Sequence, residues 1–270
     1  MNFNNKVVLI TGTSSGIGYA MAEKFGALGA KIVMGARSEK GLKELSDKLT
    51  SNNIENVYTV CDVTKESDCE ALVTRGVEAF GGIDVCICNA GISMRALFDD
   101  VKVDVLKELM DVNFWGAVHT IKYALPHIQK AKGSIVGVSS VAGLHGLPAR
   151  TGYSASKYAM HGFFDTIRVE NLKKGVHVMI ACPGFTASNV RFSARTADGS
   201  AQGESPREET KMATAEEVAT KIAKGVYRRK REVIMDFQGR ATKFIKKFFP
   251  KLLDKLFYNH MAKEADSPLK

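Results

Sequence analysis

Residues 6–18 read KVVLITGTSSGIG, an apolar run that leads directly into a glycine-rich turn. After the turn, apolar side chains at Tyr19, Ala22 and Phe25 follow the spacing of one helical face. A strand, a glycine turn and a helix in this order present backbone N–H groups and the positive end of a helix dipole to an anion such as a pyrophosphate. The stretch therefore predicts a dinucleotide site at the start of an α/β fold.

The turn itself supplies several of the predicted cofactor contacts. Its glycines follow the spacing G-x-x-x-G-x-G, which differs from the G-x-G-x-x-G of most dinucleotide sites. Because glycine lacks a side chain, the backbone here can turn tightly and come close to a ligand. The residues predicted to contact the cofactor are Gly12, Ser14, Ser15, Gly16, Ile17 and Gly18. The alternative is an ordinary glycine-rich turn that binds nothing.

The end of the second predicted strand, residues 31–35, indicates which cofactor binds. Sites for NAD carry an acidic residue for the ribose 2′-hydroxyl about 20 residues beyond the glycine turn. This chain has Ala36 there, followed by Arg37 and Ser38. With no carboxylate to repel a 2′-phosphate, and with a guanidinium and a hydroxyl to bind it, the sequence predicts NADP(H) rather than NAD(H). The alternative for Arg37 is an exposed arginine without a ligand.

Strand and helix patterns continue to alternate along the chain. The remaining strands are predicted at 57–61, 84–88, 134–138, 176–181 and 232–237, with helices at 39–50, 65–80, 101–131 (interrupted near Asn113) and 215–229. This alternation predicts a Rossmann-like, doubly wound parallel sheet of about seven strands, with helices on both faces and ligands at the carboxyl ends of the strands. Residues 185–214 show little periodicity and predict a mobile lid.

Polar and small residues at two of those strand ends extend the predicted cofactor site. Asp62 and Val63 follow one strand and are placed to contact adenine. Asn89, Ala90 and Gly91 follow the next strand and form a second turn of small residues. Because the carboxyl ends of parallel strands meet at one edge, we expect these residues to lie near the glycine turn.

Residues 139–157, SSVAGLHGLPARTGYSASK, carry the predicted chemistry. Tyr153 and Lys157 are four residues apart, so they share one face of a helix. An ammonium near a phenol favours the phenolate, so we expect Lys157 to lower the pKa of Tyr153 from about 10. Tyr153 is then a candidate general acid and base, with the hydroxyls of Ser139 and Ser140 upstream of it.

Composition indicates one large domain with a basic extension. The chain has 270 residues, of which 45% are hydrophobic, and the net charge is +9. Residues 221–270 hold 14 Lys and Arg against 5 Asp and Glu, so the rest of the chain is neutral. We therefore expect an NADP-binding domain with a Rossmann-like fold over 1–240 and an amphipathic helical tail over 241–270. A neutral body argues against an enzyme of nucleic acids, because such an enzyme concentrates cations in its working cleft.

The five cysteines show no C-x-x-C spacing, and most lie in apolar runs. This pattern is typical of buried thiols in a reducing compartment. The sequence shows neither a signal peptide nor an apolar run long enough to cross a membrane, so we expect a cytoplasmic protein. The histidines, His119, His127, His145, His161 and His177 among them, show no ligand spacing, and no metal is expected.

With these residues in view, the chain resembles the short-chain dehydrogenase/reductase family over about residues 5–237. The matching motifs are TGTSSGIG at 11–18, Asp62, NAG at 89–91, Asn113, Ser140, Tyr153 with Lys157, and Pro183-Gly184. The resemblance implies that Asn113, Ser140, Tyr153 and Lys157 are catalytic, and its spacing selects Ser140 over Ser139. It also adds Tyr153, Lys157, Pro183, Gly184, Thr186 and Ser188 to the cofactor site, with Ser188 in place of the family's usual threonine.

The resemblance implies hydride transfer between NADP(H) and a carbonyl or secondary alcohol, and it implies a homo-oligomer, a dimer or a tetramer. Within the family, GISMR at 91–95, PART at 148–151, GFFDTIR at 162–168 and TADGS at 196–200 resemble membrane-associated lipid and steroid reductases. A bulky apolar ketone is therefore expected, with acyl- or alkyl-dihydroxyacetone phosphate, a 3-keto sphingoid base and a steroid all open. If a phosphate must be held, the candidates are Arg95, Arg150, Arg191 and Arg195. The alternative function is an NADP-binding scaffold or sensor.

The tail over 241–263 predicts two amphipathic helices, with Pro250 near the start of the second. Apolar pairs recur every four residues, at Phe244/Ile245, Phe248/Phe249, Leu252/Leu253 and Leu256/Phe257, and Lys243, Lys246, Lys247, Lys251 and Lys255 fall between them. An apolar stripe bordered by lysines is typical of helices that lie at a membrane surface. Two alternatives stay open: the stripe covers the protein's own cleft, or it contacts a partner subunit.

Overall fold

A computed structural model describes residues 1–184, 186, 193–203, 212–263 and 267–269. Within these residues, seven parallel strands form one sheet in the order β3-β2-β1-β4-β5-β6-β7. The strands are β1 (Val7–Thr11), β2 (Lys31–Ala36), β3 (Asn56–Val60), β4 (Val85–Cys88), β5 (Ser134–Val138), β6 (His177–Cys182) and β7 (Glu232–Ile234). The predicted doubly wound parallel sheet is confirmed.

Helices cover both faces of the sheet. They are α1 (Gly16–Gly26), α2 (Glu39–Ser51), α3 (Glu66–Phe80), α4 (Val103–Met110), α5 (Gly116–Ala131), α6 (Thr151–Glu170), α7 (Ala215–Tyr227), α8 (Phe237–Phe248) and α9 (Pro250–Ala262). One apolar core forms where α1, α2 and α7 pack on the sheet, and a second forms beneath α3, α5 and α6. Because the sheet is covered on both sides, strands such as β1 are buried at every residue and read as unbroken apolar runs.

The strand order creates the crevice that holds the site. The chain runs outward from β1 to β3, then returns to form β4 on the other side of β1. Such a reversal separates the loops that leave two neighbouring strands, and ligands bind in the opening between them. Here the opening lies between the turn that follows Thr11 and the turn that follows Cys88.

One predicted interruption is confirmed and one predicted boundary is wrong. The α-helical pattern over 101–131 is interrupted at Asn113, where a π-helical turn, Asp111–Trp115, lies between α4 and α5. The last strand ends at Ile234 rather than at residue 237, because the carboxylate of Asp236 accepts a hydrogen bond from the N–H of Gly239 at 2.6 Å and caps α8. The chain therefore turns into a helix where the apolar pattern predicted a strand.

The two C-terminal helices pack beside the loop that follows β5. As predicted, Pro250 is the first residue of the second helix, where its missing N–H costs no hydrogen bond. Lys246 donates a hydrogen bond to the carbonyl oxygen of Leu144 at 2.8 Å, and the ring of Phe257 stacks on His145 with centroids 4.9 Å apart. In the described part of the chain, no helix combines the length and the apolar character needed to cross a bilayer.

Candidate active site

A cleft of about 400 Å³ opens at the carboxyl ends of the strands. It brings together most of the predicted cofactor residues, which are Gly12, Ser14, Ser15, Gly16, Ile17, Arg37, Ser38, Asp62, Val63, Asn89, Ala90, Gly91, Tyr153, Lys157, Pro183, Gly184 and Thr186. The catalytic candidate Ser140 also lines it. Ser188 and the predicted lid residues Phe185, Val190 and Phe192 lie outside the described residues.

The glycine turn is held tightly against the turn after β4. Gly12 has a φ of +73°, and a Cβ at this position would lie 2.8 Å from the Cα of Ala90. The amide of Asn89 donates hydrogen bonds to the carbonyl oxygens of Thr11 at 2.9 Å and Gly12 at 3.2 Å. Only glycine fits this backbone conformation and this close approach, so Asn89 fixes the floor of the cleft.

The N-terminus of α1 faces the same space and fits an anion. Ser15 precedes the helix in an extended conformation and makes no side-chain capping bond, and the first turn contains no acidic residue. The first N–H groups of a helix have no partner within it, and the helix dipole is positive there. With Ser14, Ser15, Gly16 and Ile17 in the cleft wall, these groups suit a pyrophosphate.

Gly18 does not line the cleft, although the sequence placed it in the cofactor site. It is buried in α1, where an added Cβ would lie 2.0 Å from the carbonyl oxygen of Gly12. Its missing side chain lets the helix pack against the turn that precedes it. Gly18 therefore supports the glycine turn by packing against its backbone, on the side away from the cleft.

Arg37 and Ser38 are exposed at the end of β2 and line the cleft. Ala36, in the position where an acidic residue would favour NAD, is buried. The side chain of Ser38 accepts a hydrogen bond from the N–H of Gly41 at 3.2 Å and so caps α2. The N-terminus of a second helix and a guanidinium thus border this end of the cleft.

Asp62 lines the cleft, but its carboxylate also orders its own loop. It accepts hydrogen bonds from the N–H of Thr64 at 3.1 Å and from its hydroxyl at 2.8 Å. The N–H of Asp62 in turn donates to the carboxylate of Asp68 at 3.0 Å. These bonds fix the position of Asp62 and Val63, and contact with adenine stays a prediction.

The two serines after β5 point to different partners. Ser139 is buried, and its hydroxyl lies 2.9 Å from Nε2 of His161 on α6. Ser140 accepts a hydrogen bond from the N–H of Ala142 at 3.2 Å and lies close enough to Tyr153 to lower the pKa of its phenol. Since Ser139 is engaged with His161, the geometry favours Ser140 as the hydroxyl that acts beside Tyr153.

Lys157 is directed beneath Tyr153 and towards the sheet. Its side chain is only 4% exposed, and its ammonium donates a hydrogen bond to the carbonyl oxygen of Val138 at 3.0 Å. The same nitrogen lies 5.7 Å from the centroid of the Tyr153 ring. Burial lowers the pKa of Lys157 from 10.5 to about 8, because desolvation disfavours the charged form.

The pKa of Tyr153 shifts in the direction opposite to the one expected from sequence. Burial raises it above the usual 10.0, while hydrogen bonding with Ser140 and the positive charge of Arg150 lower it in part. Lys157 is not among the groups that lower it, because its own pKa of about 8 leaves it uncharged at the pH at which the phenol ionises. The groups that offset the effect of burial are thus Ser140 and Arg150, and the expectation for Lys157 is corrected.

Asn113 is buried in the π-helical turn behind the cleft. Its amide oxygen accepts from the N–H of Ile92 at 2.8 Å, and its amide nitrogen donates to the carbonyl oxygen of Ile92 at 3.0 Å and to the hydroxyl of Ser156 at 2.9 Å. A π-helical turn is often found at a functional site. In this structure Asn113 holds the backbone after Gly91, and the water relay implied by the resemblance stays a prediction.

Sequence reasoning left several wall residues unassigned. They are Cys61, Ile92, Ser93, Val112, Val138 and Ser193. Most of them adjoin a residue that was assigned: Cys61 precedes Asp62, Ile92 follows Gly91, and Val138 ends β5. The sequence signal that could have identified these wall residues is therefore their position next to the end of a predicted strand.

Two of the four arginines considered for a phosphate are in structural roles. Arg195 forms a two-pronged ion pair with Glu108, with nitrogen–oxygen distances of 2.9 and 2.5 Å. Arg150 lines the cleft and donates to the hydroxyl of Ser93 at 2.8 Å and to the carbonyl oxygen of Met94 at 2.9 Å. The N–H of Arg95 bonds to the carbonyl oxygen of Arg195. The fourth candidate, Arg191, lies outside the described residues.

Side chains that often bind metals are engaged elsewhere. His177 contacts Ser134 and the carbonyl oxygen of Lys230, and His119 contacts the carbonyl oxygen of Val63. All five cysteines are buried and free, as expected. Among the described residues, no group of three His, Cys, Asp or Glu is arranged to hold a metal ion.

A family model for short-chain dehydrogenases matches residues 6–199, which include the glycine turn, the cleft and all four catalytic candidates. The chain belongs to the short-chain dehydrogenase family. Its members are oxidoreductases, so the fold and the cleft of this short-chain dehydrogenase are those of a nicotinamide dinucleotide enzyme.

Known relatives extend the match beyond the family model. The chain is 34% identical over 269 residues to dehydrogenase/reductase SDR family member 7B of Mus musculus, covering 97% of this chain and 83% of that protein. It is 32% identical over 276 residues to the dehydrogenase/reductase SDR family protein 7-like of Dictyostelium discoideum, covering 100% of this chain and 84% of that protein. These matches include the C-terminal helices of this short-chain dehydrogenase.

Solved structures agree with the fold. A short-chain dehydrogenase/reductase from Burkholderia phymatum, in complex with NAD, superposes with a TM-score of 0.83 at 25% identity, covering 93% of this chain and 96% of that chain. An alcohol dehydrogenase from Thermococcus sibiricus, complexed with 5-hydroxy-NADP, gives 0.72 at 24% identity, covering 84% of this chain and 93% of that chain. The two neighbours carry different forms of the cofactor, so this short-chain dehydrogenase must be assigned a cofactor from its own residues.

Proposed function

We propose that this short-chain dehydrogenase reduces the carbonyl group of a bulky apolar substrate with NADPH. The observation that carries the proposal is the placement of Ser140, Tyr153 and Lys157 in the wall of the same cleft as Arg37 and Ser38. The candidate proton donor and the guanidinium expected to bind a 2′-phosphate thus border one cavity. A protein that only bound the cofactor would gain nothing from the proton donor.

The cofactor fits the residues present. The glycine turn and the N-terminus of α1 would hold the pyrophosphate, Arg37 and Ser38 the 2′-phosphate, and Lys157 the nicotinamide ribose. The tight approach of Gly12 to Ala90 keeps side chains out of the space that the pyrophosphate needs. When bound, NADPH supplies the hydride that reduces a carbonyl carbon.

The protein's own groups supply the proton. Tyr153 donates its phenolic proton to the carbonyl oxygen as the negative charge develops there, and Ser140 donates a second hydrogen bond to that oxygen. A pKa raised by burial keeps Tyr153 protonated at neutral pH, as a general acid requires. The positive charge of Arg150 near the ring favours the phenolate that remains after proton transfer.

The described walls near Tyr153 support an apolar substrate. Ile92, Val112 and Leu147 line the cleft on the catalytic side. Burial of such side chains against a ligand removes apolar area from water and contributes about 25 cal/mol per Å². A long or bulky apolar ketone gains more from this wall than a small polar one.

Purified protein with NADPH and a series of ketones of increasing chain length tests the proposal. We expect loss of NADPH absorbance that depends on the ketone and is abolished in Tyr153→Phe. A tightly bound NADPH that no ketone oxidises, together with no reduction of NADP⁺ by the matching alcohols, would assign the chain to cofactor binding alone.

A further inference from the structure

The helices α8 and α9 expose an unusual number of large apolar side chains. We call them the tail apolar surface: Phe237, Phe244, Phe248, Phe249, Leu252 and Leu256, each between 47% and 77% exposed. Phe237, Phe244 and Phe248 are seven and four residues apart, so they share one face of α8. The rings of Phe244 and Phe248 lie 5.0 Å apart, which makes the surface continuous along this helix.

The faces of α8 and α9 opposite the tail apolar surface pack against the rest of the protein. On α8, Gly239 and Thr242 are buried, and Lys246 reaches the carbonyl oxygen of Leu144 at 2.8 Å. On α9, Leu253 and Met261 are buried. Since these buried residues hold the helices against the domain, the tail apolar surface faces outward.

Cations surround the tail apolar surface. Residues 237–262 contain six Lys and Arg and one Asp, Asp254. Arg240, Lys247, Lys251 and Lys255 are exposed, while Lys243 pairs with Glu232. An apolar face among cations matches the surface of a bilayer that contains anionic lipids, where rings enter the acyl boundary and lysines meet the headgroups.

We propose that the tail apolar surface docks on an anionic lipid bilayer. A lipid surface satisfies both features, because it buries the phenylalanines and leucines and neutralises the lysines. A second copy of this chain would bring two like-charged helix pairs together, which is unfavourable. Charge complementarity therefore selects the bilayer over a homodimer.

The docked helices adjoin the cleft. A Cβ at Gly184, in the cleft wall, would lie 1.6 Å from the carboxylate of Asp236, the residue that caps α8. Leu144, which Lys246 contacts, leads along the same loop to Leu147 in the cleft wall. Docking would thus place the rim of the cleft near the bilayer, where an apolar ketone dissolves.

Sedimentation with vesicles of phosphatidylcholine and phosphatidylserine tests the docking. The decisive variant is Phe244→Ser/Phe248→Ser/Leu252→Ser, which removes apolar area without changing charge. We expect at least a tenfold loss of binding, since each side chain buries apolar area in the membrane. The matched control, Val169→Ser/Leu172→Ser, alters side chains that are 73% and 72% exposed elsewhere and should bind as the wild type does.

The electrostatic part is tested by Lys247→Gln/Lys251→Gln/Lys255→Gln. Each basic residue near an anionic surface contributes about fivefold to binding, so the loss of three should weaken binding by about a hundredfold at low salt. High salt and vesicles of phosphatidylcholine alone should have a similar effect on the wild type. The matched control replaces three exposed lysines elsewhere with glutamine, Lys43, Lys130 and Lys173.

Two outcomes would overturn the docking proposal. One is a wild type that stays in solution with anionic vesicles at low salt, and the other is an apolar triple variant that binds as well as the wild type does. If the wild type is a dimer that does not bind vesicles, and the apolar triple variant is a monomer in sedimentation velocity, the tail apolar surface contacts a second copy of the chain. Thermal unfolding and NADPH oxidation with a water-soluble ketone check the fold without vesicles, so failure of docking is distinct from failure of the reductase proposal.

Discussion

Lys157 donates a hydrogen bond of 3.0 Å to the carbonyl oxygen of Val138, the last residue of β5. This bond ties α6 to the sheet beside Ser139 and Ser140, and it places an ammonium in a buried site. Among the residues that the structure describes, no carboxylate pairs with this ammonium. Burial of such a cation is costly, and the pKa of Lys157 falls to about 8 as a result. The buried position of Lys157 thus lowers the free energy of unfolding at every pH at which the side chain is protonated in the folded protein.

The first prediction concerns stability at alkaline pH. Between about pH 8 and 10.5 the unfolded chain binds the Lys157 proton more tightly than the folded chain does, so the free energy of unfolding rises with pH. We expect the wild type to gain about 2 kcal/mol relative to Lys157→Met between pH 7 and pH 10. Urea unfolding of both proteins across this range measures the gain. Lys43→Met, at an exposed lysine, should run parallel to the wild type, and a parallel curve for Lys157→Met would contradict the assigned pKa.

The second prediction isolates proton transfer. Tyr153→Phe removes one oxygen atom, so turnover should fall by roughly a hundredfold to ten-thousandfold while the affinity for NADPH is unchanged. Steady-state oxidation of NADPH and a fluorescence titration measure the two effects. Tyr227→Phe removes the same atom from an exposed tyrosine outside the cleft and should change neither. Retained reductase activity in Tyr153→Phe would remove Tyr153 from the mechanism.

The fold could be predicted from the sequence because its signals are local. Buried parallel strands read as apolar runs, and four of them, β1, β2, β4 and β5, are followed directly by glycine or a polar residue. The end of β7 could not be read in this way, because the apolar pattern continues to Phe237 while the cap formed by Asp236 starts a helix. The exact end of an element depended on one side-chain hydrogen bond.

The site could be predicted only as a set of residues. The motifs identified the positions, but the direction of each side chain depends on contacts between distant parts of the chain. Gly18 packs against Gly12 rather than lining the cleft, and Lys157 turns to Val138 rather than acting on Tyr153. Spacing along a helix establishes that two residues share a face, and it does not establish what lies on the other side of that face.

The third prediction concerns the choice of cofactor. Arg37→Asp places a carboxylate where a 2′-phosphate would bind, so affinity for NADPH should fall at least tenfold and affinity for NADH should rise. Titration of both cofactors measures the change. Arg75→Asp makes the same change of charge at an exposed position of α3 outside the cleft and should leave the preference as it is. Equal affinities of the wild type for NADPH and NADH would refute the role of Arg37.

The fourth prediction separates the glycine that supports the turn from an ordinary helical glycine. Gly18→Ala would place a Cβ 2.0 Å from the carbonyl oxygen of Gly12, and overpacking of this kind should lower the free energy of unfolding by about 1–3 kcal/mol. Gly162→Ala, on α6, meets no atom within 4 Å and should raise it by about 0.5–1 kcal/mol. Thermal or urea unfolding of the two variants checks the difference. Equal stabilities would mean that the close approach of Gly18 to Gly12 is not required.

The last prediction concerns the apolar wall beside Tyr153. Leu147 is half-buried in the loop before α6 and lines the cleft, so Leu147→Asn should weaken contacts with a long-chain ketone and spare those with a small one. Loss of this apolar contact is worth about 1–2 kcal/mol, or roughly tenfold in kcat/KM for the longer substrate. Leu172→Asn, at a leucine that is 72% exposed and outside the cleft, should leave both values unchanged.

The comparison of two ketones separates specificity from catalysis. A variant that harmed the proton transfer would lower kcat for both ketones. A variant of the apolar wall should lower kcat/KM for the long-chain ketone alone, so the ratio of kcat/KM for the small ketone to that for the long-chain ketone should rise. If Leu147→Asn lowers kcat/KM equally for the two ketones, Leu147 positions the catalytic loop rather than the substrate. If the wild type turns over small polar ketones as efficiently as long-chain ones, the substrate is not apolar, and the wall has a structural role alone.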